Sequence, residues 1–142
     1  MVKKITIAID AMGGENAPEK TIEGVKLFLK NNQTHDDFII NLFGDKKKIE
    51  EKLKNENIDR TNLKITHTDS VVADDETPLT AIKNSKNTSM WNCISSQVNG
   101  DSDISLSAGN TGVLLVVSKM ILKMMDDVSK PALAGLWPVS YT

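Results

Sequence analysis

The chain has 142 residues, of which 39% are hydrophobic and 25% are charged, with a formal net charge of −2. This length suits one domain with its own core, and this composition is typical of a globular protein rather than of a disordered or membrane-embedded one. The nearly neutral charge excludes the strong positive field that recruits nucleic acid, so we expect no nucleic-acid partner. The only cysteine, Cys93, cannot form an internal disulfide, which fits a reducing cytoplasm. We therefore expect residues 1–142 to form a single cytoplasmic domain.

The first half of the chain alternates between strand and helix patterns. Residues 5–9 and 38–43 are nearly continuous apolar runs, as in strands that are covered on both faces. An amphipathic helix is predicted after each, the first from Pro18 and the second over Lys46–Asn55. Residues 63–68 alternate apolar and polar side chains, which predicts a strand nearer the edge of the sheet.

The second half continues the same pattern. Thr77 is suited to cap the N-terminus of one short helix, and a second helix can start at Thr88 or Ser89. Residues 103–125 then predict a buried strand, a four-residue hinge and a long apolar helix, and residues 130–137 predict a fifth strand. Strands that alternate with helices favour parallel pairing with right-handed crossovers. The sequence therefore predicts an α/β fold, a three-layer α/β/α sandwich with a mostly parallel sheet.

The hinge is the first candidate for a binding site. Gly109 and Gly112 allow a sharp turn, while Asn110 and Thr111 lie where a new helix begins and where unpaired backbone N–H groups suit an anion. A purely steric turn explains the same residues, and the residues alone leave both interpretations open.

Two other loops belong with the hinge, because ligands of open parallel sheets collect beyond the carboxyl ends of the strands. We expect the loop at residues 10–18, the acidic segment that ends at Pro78 and the hinge to converge on one rim. The first loop is either a tight turn capped by Asp10 or a second backbone cradle. It lacks the glycine signatures of dinucleotide and ATP sites, so no cofactor is expected.

Other polar groups have weaker patterns. Lys83 and Lys86 are three residues apart on a predicted short helix, so they could hold an anion together, although solvated surface lysines are the alternative. The acids at residues 74–76 point in different directions and no histidine completes a ligand set, so we expect no metal. Cys93 on an amphipathic helix fits core packing better than a nucleophile.

Five segments in a fixed order carry a resemblance to a known family. Together they resemble the bacterial phosphate acyltransferase family PlsX over almost the whole chain. The segments are IAIDAMGGENAP at 7–18, DETP at 75–78, TSMW at 88–91, SAGNTG at 107–112 and KPALAGLWP at 130–138. The resemblance implies a Rossmann-like sandwich similar to that of isocitrate and isopropylmalate dehydrogenases.

The resemblance also implies a function. In the implied reaction, inorganic phosphate attacks the thioester of a fatty acyl group on acyl carrier protein. The product is an acyl phosphate for phospholipid synthesis. It implies a cytoplasmic homodimer that lies peripherally at the membrane through a membrane acyltransferase partner. In this sequence we expect the phosphate and the oxyanion at the hinge, support from two lysines, and a rim completed by the first loop. The expected catalytic residues are Asn110 and Lys83, and the expected binding residues are Asp10, Gly13, Gly14, Asn16, Lys86, Gly109, Thr111 and Gly112.

Some positions depart from the family pattern. Glu15 stands where Asp is usual, and Lys83 stands where Arg is frequent, which loses a bidentate grip on phosphate. A more basic run is usual where residues 84–85 stand. Family members are more than twice this length and the likeness fades at residues 139–142, so we expect an N-terminal half. The alternatives are a truncated, catalytically inactive remnant that folds or binds a partner, and a transacylase that uses a coenzyme A thioester.

Overall fold

The structure is a computed structural model that describes residues 4–32, 37–73 and 75–135. Four strands and five helices occur in these ranges, in nearly regular alternation. In chain order they are β1 (Ile5–Asp10), α1 (Glu19–Asn31), β2 (Phe38–Gly44), α2 (Lys46–Asn55), β3 (Leu63–His67), α3 (Pro78–Asn84), α4 (Ser89–Val98), β4 (Ile104–Ser107) and α5 (Thr111–Leu122).

The four strands form one parallel sheet in the order β3-β2-β1-β4. β3 lies at an edge, as its alternating pattern predicts. The register pairs Asp10 at the end of β1 with Phe43 on one side and Ser107 on the other. The carboxyl ends of β1, β2 and β4 therefore meet at the same edge of the sheet, and their following loops lie close together.

Helices cover both faces of the sheet, which confirms the predicted α/β sandwich. On one face, apolar side chains of α1 and α2 pack against those of the sheet. The main ones are Ile22 and Val25 of α1, Ile49 and Leu53 of α2, and Ile40 and Leu42 of β2. On the other face, Cys93 of α4 packs on Ala8 and Phe43. A second cluster joins α3, α4 and α5 through Ala81, Met90, Ile94, Val113 and Val117.

Local capping explains where α2 and α3 begin. The side chain of Asp45 accepts hydrogen bonds from the backbone N–H groups of Lys47 and Lys48 at the start of α2. Thr77 and Thr80 form a reciprocal capping box at the start of α3. Such caps satisfy the N–H groups that a first helical turn leaves unpaired. The predicted N-cap role of Thr77 is confirmed.

The prediction of a fifth strand is wrong for the residues that can be compared. Residues 130–135 contain no strand, and residues 136 and 137 lie outside the described ranges. The apolar run at 131–136 satisfies the local pattern of a strand, but a strand also needs a neighbour to pair with. The described sheet therefore has four strands. α5 is also shorter than predicted: it ends at Leu122, where Lys123 takes a positive φ of 64°.

β4 is less buried than its apolar pattern predicts. Ile104 and Leu106 are 45% and 48% exposed, and both lie on the face of the sheet that carries α1 and α2. Those helices cover β1 and β2, and no described element covers β4 on this face. A groove of about 380 Å³ remains between β4 and α1, with Ile9, Leu106 and Phe28 in its lining. No helix in the described part of the chain has the length and apolar character needed to cross a bilayer.

Candidate functional site

Three loops converge beyond the carboxyl ends of β1 and β4, as predicted. Ser107 donates a hydrogen bond of 2.8 Å from Oγ to Oδ2 of Asp10, which joins the first loop to β4. Asn110 donates from Nδ2 to the carbonyl of Glu76 at 3.0 Å, which joins the hinge to the acidic segment. We call this convergence of residues 10–16, 76–78 and 107–112 the rim.

One residue of the rim carries a buried carboxylate. Asp10 is only 2% exposed, and besides the Ser107 hydroxyl it accepts a hydrogen bond from the backbone N–H of Met12 at 3.2 Å. Ser107 in turn accepts from the backbone N–H of Gly109 at 3.1 Å. Asp10 thus holds both its own loop, as the capping interpretation expects, and the hinge on the neighbouring strand.

Two glycines of the first loop allow this close approach. An ideal Cβ on Gly13 would lie 2.6 Å from Asp10 Oδ2, 2.8 Å from Ser107 Oγ and 2.9 Å from the Gly109 nitrogen. Gly14 has a φ of +91°, and a Cβ there would lie 2.7 Å from the carbonyl oxygen of Ala108. Neither position has room for a side chain. Asn16 follows with a positive φ of 54°.

The hinge begins α5 in the way that an N-cap requires. The side-chain oxygen of Asn110 accepts from the N–H of Val113 at 3.1 Å, and its carbonyl accepts from Leu114 at 2.9 Å. The N–H groups of Thr111 and Gly112 belong to the first turn, which has no intrahelical acceptors for them. The positive end of the α5 dipole coincides with these donors, so the position suits an anion.

The acidic segment contributes backbone and side-chain contacts to the rim. Glu76 accepts a hydrogen bond from Nδ2 of Asn84 at 3.2 Å through its carboxylate, while its carbonyl accepts from Asn110. A Cβ on Gly112 would lie 3.1 Å from Cγ of Pro78, so the first turns of α3 and α5 touch. Asp74 lies outside the described residues, and among those described no His, Cys, Asp or Glu cluster could hold a metal ion.

The two predicted lysines are not on one helix face. α3 ends at Asn84 with Ser85 as its C-cap, so Lys86 lies in the turn beyond it. Between Leu79 and Lys86 the sequence contains no glycine or proline that would predict the end of the helix. Lys83 stays on α3, about 7.5 Å along the helix axis from Pro78. Both ammonium groups are exposed.

Lys20 is a further cation beside the first loop, and it is not among the residues that the sequence predicts for the site. It lies in the first turn of α1 and lines a cavity of about 340 Å³ together with Gly13, Gly14 and Ala108. Its ammonium lies 3.8 Å from the carboxylate of Glu15, an exposed pair of the kind that contributes little stability. A lone lysine in a first helical turn carries no sequence signal. Its position beside the rim is shown by the cavity that it lines together with Gly13 and Gly14.

Cys93 lies close to the site without facing it. The thiol is 1% exposed and donates weakly to the carbonyl of Leu106 at 3.7 Å. Burial, followed by the negative charge of Asp10, raises the pKa of the Cys93 thiol from 9.0 to about 12. A thiol that stays protonated is a poor nucleophile, which agrees with the expected packing role.

This pKa leads to a prediction about alkaline stability. Between pH 9 and about 12 the unfolded chain loses the Cys93 proton while the folded chain keeps it. The free energy of unfolding should therefore fall as pH rises through this window. Urea unfolding at several pH values should show a steeper fall for the wild type than for Cys93→Ala. Parallel curves for the two proteins would contradict the raised pKa.

Comparison with known proteins gives a consistent result. A family model described as "Fatty acid synthesis protein" matches residues 5–141. Curated proteins named phosphate acyltransferase are similar: one from Pelagibacter ubique is 45% identical over 138 residues, one from Azorhizobium caulinodans 39% over 139, and one from Parvibaculum lavamentivorans 37% over 141. The matches cover 97%, 97% and 99% of this chain but 40%, 38% and 38% of those relatives. The chain thus spans about two fifths of their length.

Proposed function

The chain belongs to the fatty acid synthesis protein family, and from this premise we propose that it is the phosphate-binding part of a phosphate acyltransferase. The reaction joins inorganic phosphate to the acyl group of acyl carrier protein and yields an acyl phosphate for fatty acid and phospholipid synthesis. One observation supports the proposal most: Asn110 caps the first turn of α5, and the hinge before it packs against Gly13 and Gly14, two positions with no room for a side chain. A small anion is the ligand that this arrangement of backbone donors suits.

The proposed reaction needs no nucleophilic side chain, because phosphate itself is the nucleophile. A phosphate oxygen forms the new bond to the thioester carbonyl carbon, and the carbonyl oxygen becomes an oxyanion. When this intermediate collapses, the carbon–sulfur bond breaks and the carrier leaves as a thiolate, which takes up a proton. The enzyme must hold an anion and stabilise a second negative charge as it develops. Preorganised backbone N–H groups can do both.

The proposed roles follow from the described contacts. Thr111 and Gly112 supply backbone donors, and Asn110 fixes the turn that presents them. Gly109 contributes through its conformation, because its own N–H already donates to Ser107. Asp10, Gly13 and Gly14 hold the loops together, and Asn16 completes the exposed side of the first loop.

Cations complete the proposal. Lys20 borders the cavity at Gly13 and Gly14, and Lys83 and Lys86 add positive charge from the α3 side. A homodimer, a membrane acyltransferase that consumes the acyl phosphate and a cytoplasmic location belong to the same proposal, supported by the family resemblance.

The direct test is turnover. The purified chain is incubated with acyl carrier protein carrying a fatty acyl group and with inorganic phosphate, and acyl phosphate is trapped with hydroxylamine as the hydroxamate. We expect a product that requires phosphate and that forms faster from the carrier protein than from acyl coenzyme A. The full-length Pelagibacter ubique relative serves as a comparison under the same conditions. A preference for coenzyme A would contradict the proposed donor.

A second candidate is a protein that folds and binds without turnover. The apolar groove beside β4 favours it, because Leu106 and Phe28 are 48% and 39% exposed there and the chain covers only 40% of a longer relative. A site completed by further residues would bind phosphate here but react slowly. Phosphate binding with no hydroxamate, while the full-length relative turns over, would favour this candidate over the enzyme.

A further inference from the structure

A single point in the rim brings together three polar atoms from separate parts of the chain. The ideal Cβ position of Gly13 lies within 2.9 Å of Asp10 Oδ2, Ser107 Oγ and the Gly109 nitrogen. These atoms come from the end of β1, the end of β4 and the hinge. Ser107 is the central one, because it is hydrogen bonded to both of the others. Ser107 is not among the site residues that the sequence predicts.

The direction of these hydrogen bonds is fixed by chemistry. An ionised carboxylate only accepts, so the Ser107 hydroxyl must donate its single proton to Asp10. Its oxygen is then left to accept the N–H of Gly109. Hydrogen bonds to a charged acceptor are stronger than neutral ones. The buried carboxylate therefore holds the Ser107 hydroxyl, and the hydroxyl holds the peptide that opens the hinge.

These two hydrogen bonds also orient the backbone N–H donors that follow Gly109. With the Gly109 N–H directed at Ser107, the peptide plane before the hinge is set, and Asn110 continues from it into the cap of α5. The N–H groups of Thr111 and Gly112 follow within two residues. The Ser107 proton also lies between the Asp10 charge and the hinge, and it reduces the repulsion that an incoming anion would meet.

We infer that Ser107 is a positioning residue for the anion site: it acts through the Gly109 peptide and sets the direction of the donors in the first turn of α5. The inference rests on the proposed function for the identity of the anion. Ser107 itself does not touch the ligand, so its loss should weaken phosphate binding and free the Gly109 amide at the same time. A merely structural serine would not link these two effects.

The test uses the ¹⁵N-labelled 142-residue chain and inorganic phosphate at constant ionic strength. Amide shifts of Thr111 and Gly112 give the phosphate dissociation constant, and hydrogen exchange reports on the Gly109 amide. In Ser107→Ala we expect phosphate to bind about tenfold more weakly and the Gly109 amide to exchange about tenfold faster. Ser107→Thr, which keeps the hydroxyl, should restore both values to within about threefold.

The control is Ser105→Ala on the same strand. Ser105 donates to Oε1 of Gln97 at 2.9 Å, and no hydrogen bond among the described residues joins its side chain to the rim, so this variant should bind phosphate as the wild type does. Ser107→Cys keeps the shape with a weaker donor and should lose part of the affinity, which covers the case of an alanine variant that does not fold.

Three outcomes separate the inference from the proposed function on which it rests. If the wild type binds phosphate and Ser107→Ala binds it with the same dissociation constant, the positioning role alone is overturned. Equal losses in the alanine and threonine variants would do the same, because the hydroxyl would then be irrelevant. If phosphate moves no amide of the hinge in the wild type, the proposed anion site is wrong, and the role of Ser107 is overturned with it.

Discussion

Gly13→Ala is expected to abolish detectable phosphate binding and to lower the free energy of unfolding by about 3 kcal/mol. The new methyl group would meet Asp10 Oδ2 at 2.6 Å and the Gly109 nitrogen at 2.9 Å. Neither atom can move freely, since one belongs to a buried carboxylate and the other to the backbone. Relief requires β1 and the hinge to separate, which breaks the hydrogen bonds through Ser107 and leaves buried polar groups unsatisfied.

Urea unfolding and phosphate titration of the same preparation measure both effects. Gly24→Ala is the matched control, because a Cβ at this exposed position of α1 meets nothing within 4 Å. Replacing a glycine inside a helix should instead stabilise the protein by about 0.5–1 kcal/mol. If Gly13→Ala retained wild-type stability and phosphate affinity, the rim would not be as tightly packed as the structure shows.

Asn110→Asp is expected to leave a folded protein that binds phosphate about 30-fold more weakly or worse. Aspartate keeps the oxygen that caps α5 and is a favoured N-cap residue. It adds a negative charge where the anion is proposed to bind, and two unit charges about 4 Å apart near a protein surface repel by about 4 kcal/mol before screening. It also loses the amide that donates to the Glu76 carbonyl.

The measurement is the phosphate dissociation constant, together with the thermal midpoint as a check on folding. Asn57→Asp makes the same charge change at an exposed residue before β3, at the opposite edge of the sheet. Aspartate tolerates the positive φ of 49° found there, so this variant should bind phosphate normally. Equal affinities for Asn110→Asp and the wild type would place the anion elsewhere.

The sequence predicts well those features that depend on neighbouring residues. α2 spans Lys46–Asn55 as expected, because Asp45 provides a cap and the apolar residues repeat with the helical period. The beginnings of α3 and α4 are likewise marked by Thr77 and Thr88. The convergence of three loops on one edge is also predictable, since it follows from parallel pairing and the positions of strand ends.

Features that depend on residues far apart in the chain are harder to predict from the sequence. No local pattern states that Ser107 is paired with Asp10, because strand order and register arise from the whole sheet. The exposure of Ile104 and Leu106 is hidden for the same reason: an apolar run shows that burial is favoured, not that a neighbour is present to provide it. The strand predicted over residues 130–137 is absent from residues 130–135 for the same reason. The local sequence does not show whether a neighbouring strand is available to pair with it.

The separation of Asp10 and Ser107 along the chain, 97 residues, bears on the order of folding. β1, β2 and β3 pair with strands that are neighbours in sequence, whereas β4 joins β1 only after a long loop closes. Once β1, β2 and β3 are paired, the stretch that must close to bring β4 onto β1 is residues 68–103. By the chain-length dependence of loop closure this costs about 3 kcal/mol of entropy, and such non-local pairing slows folding. An intermediate that holds β1, β2 and β3 has the first glycine loop but no hinge against it. A ligand of the rim therefore binds only the completed fold. The moment at which binding begins reports when the last step of folding is complete.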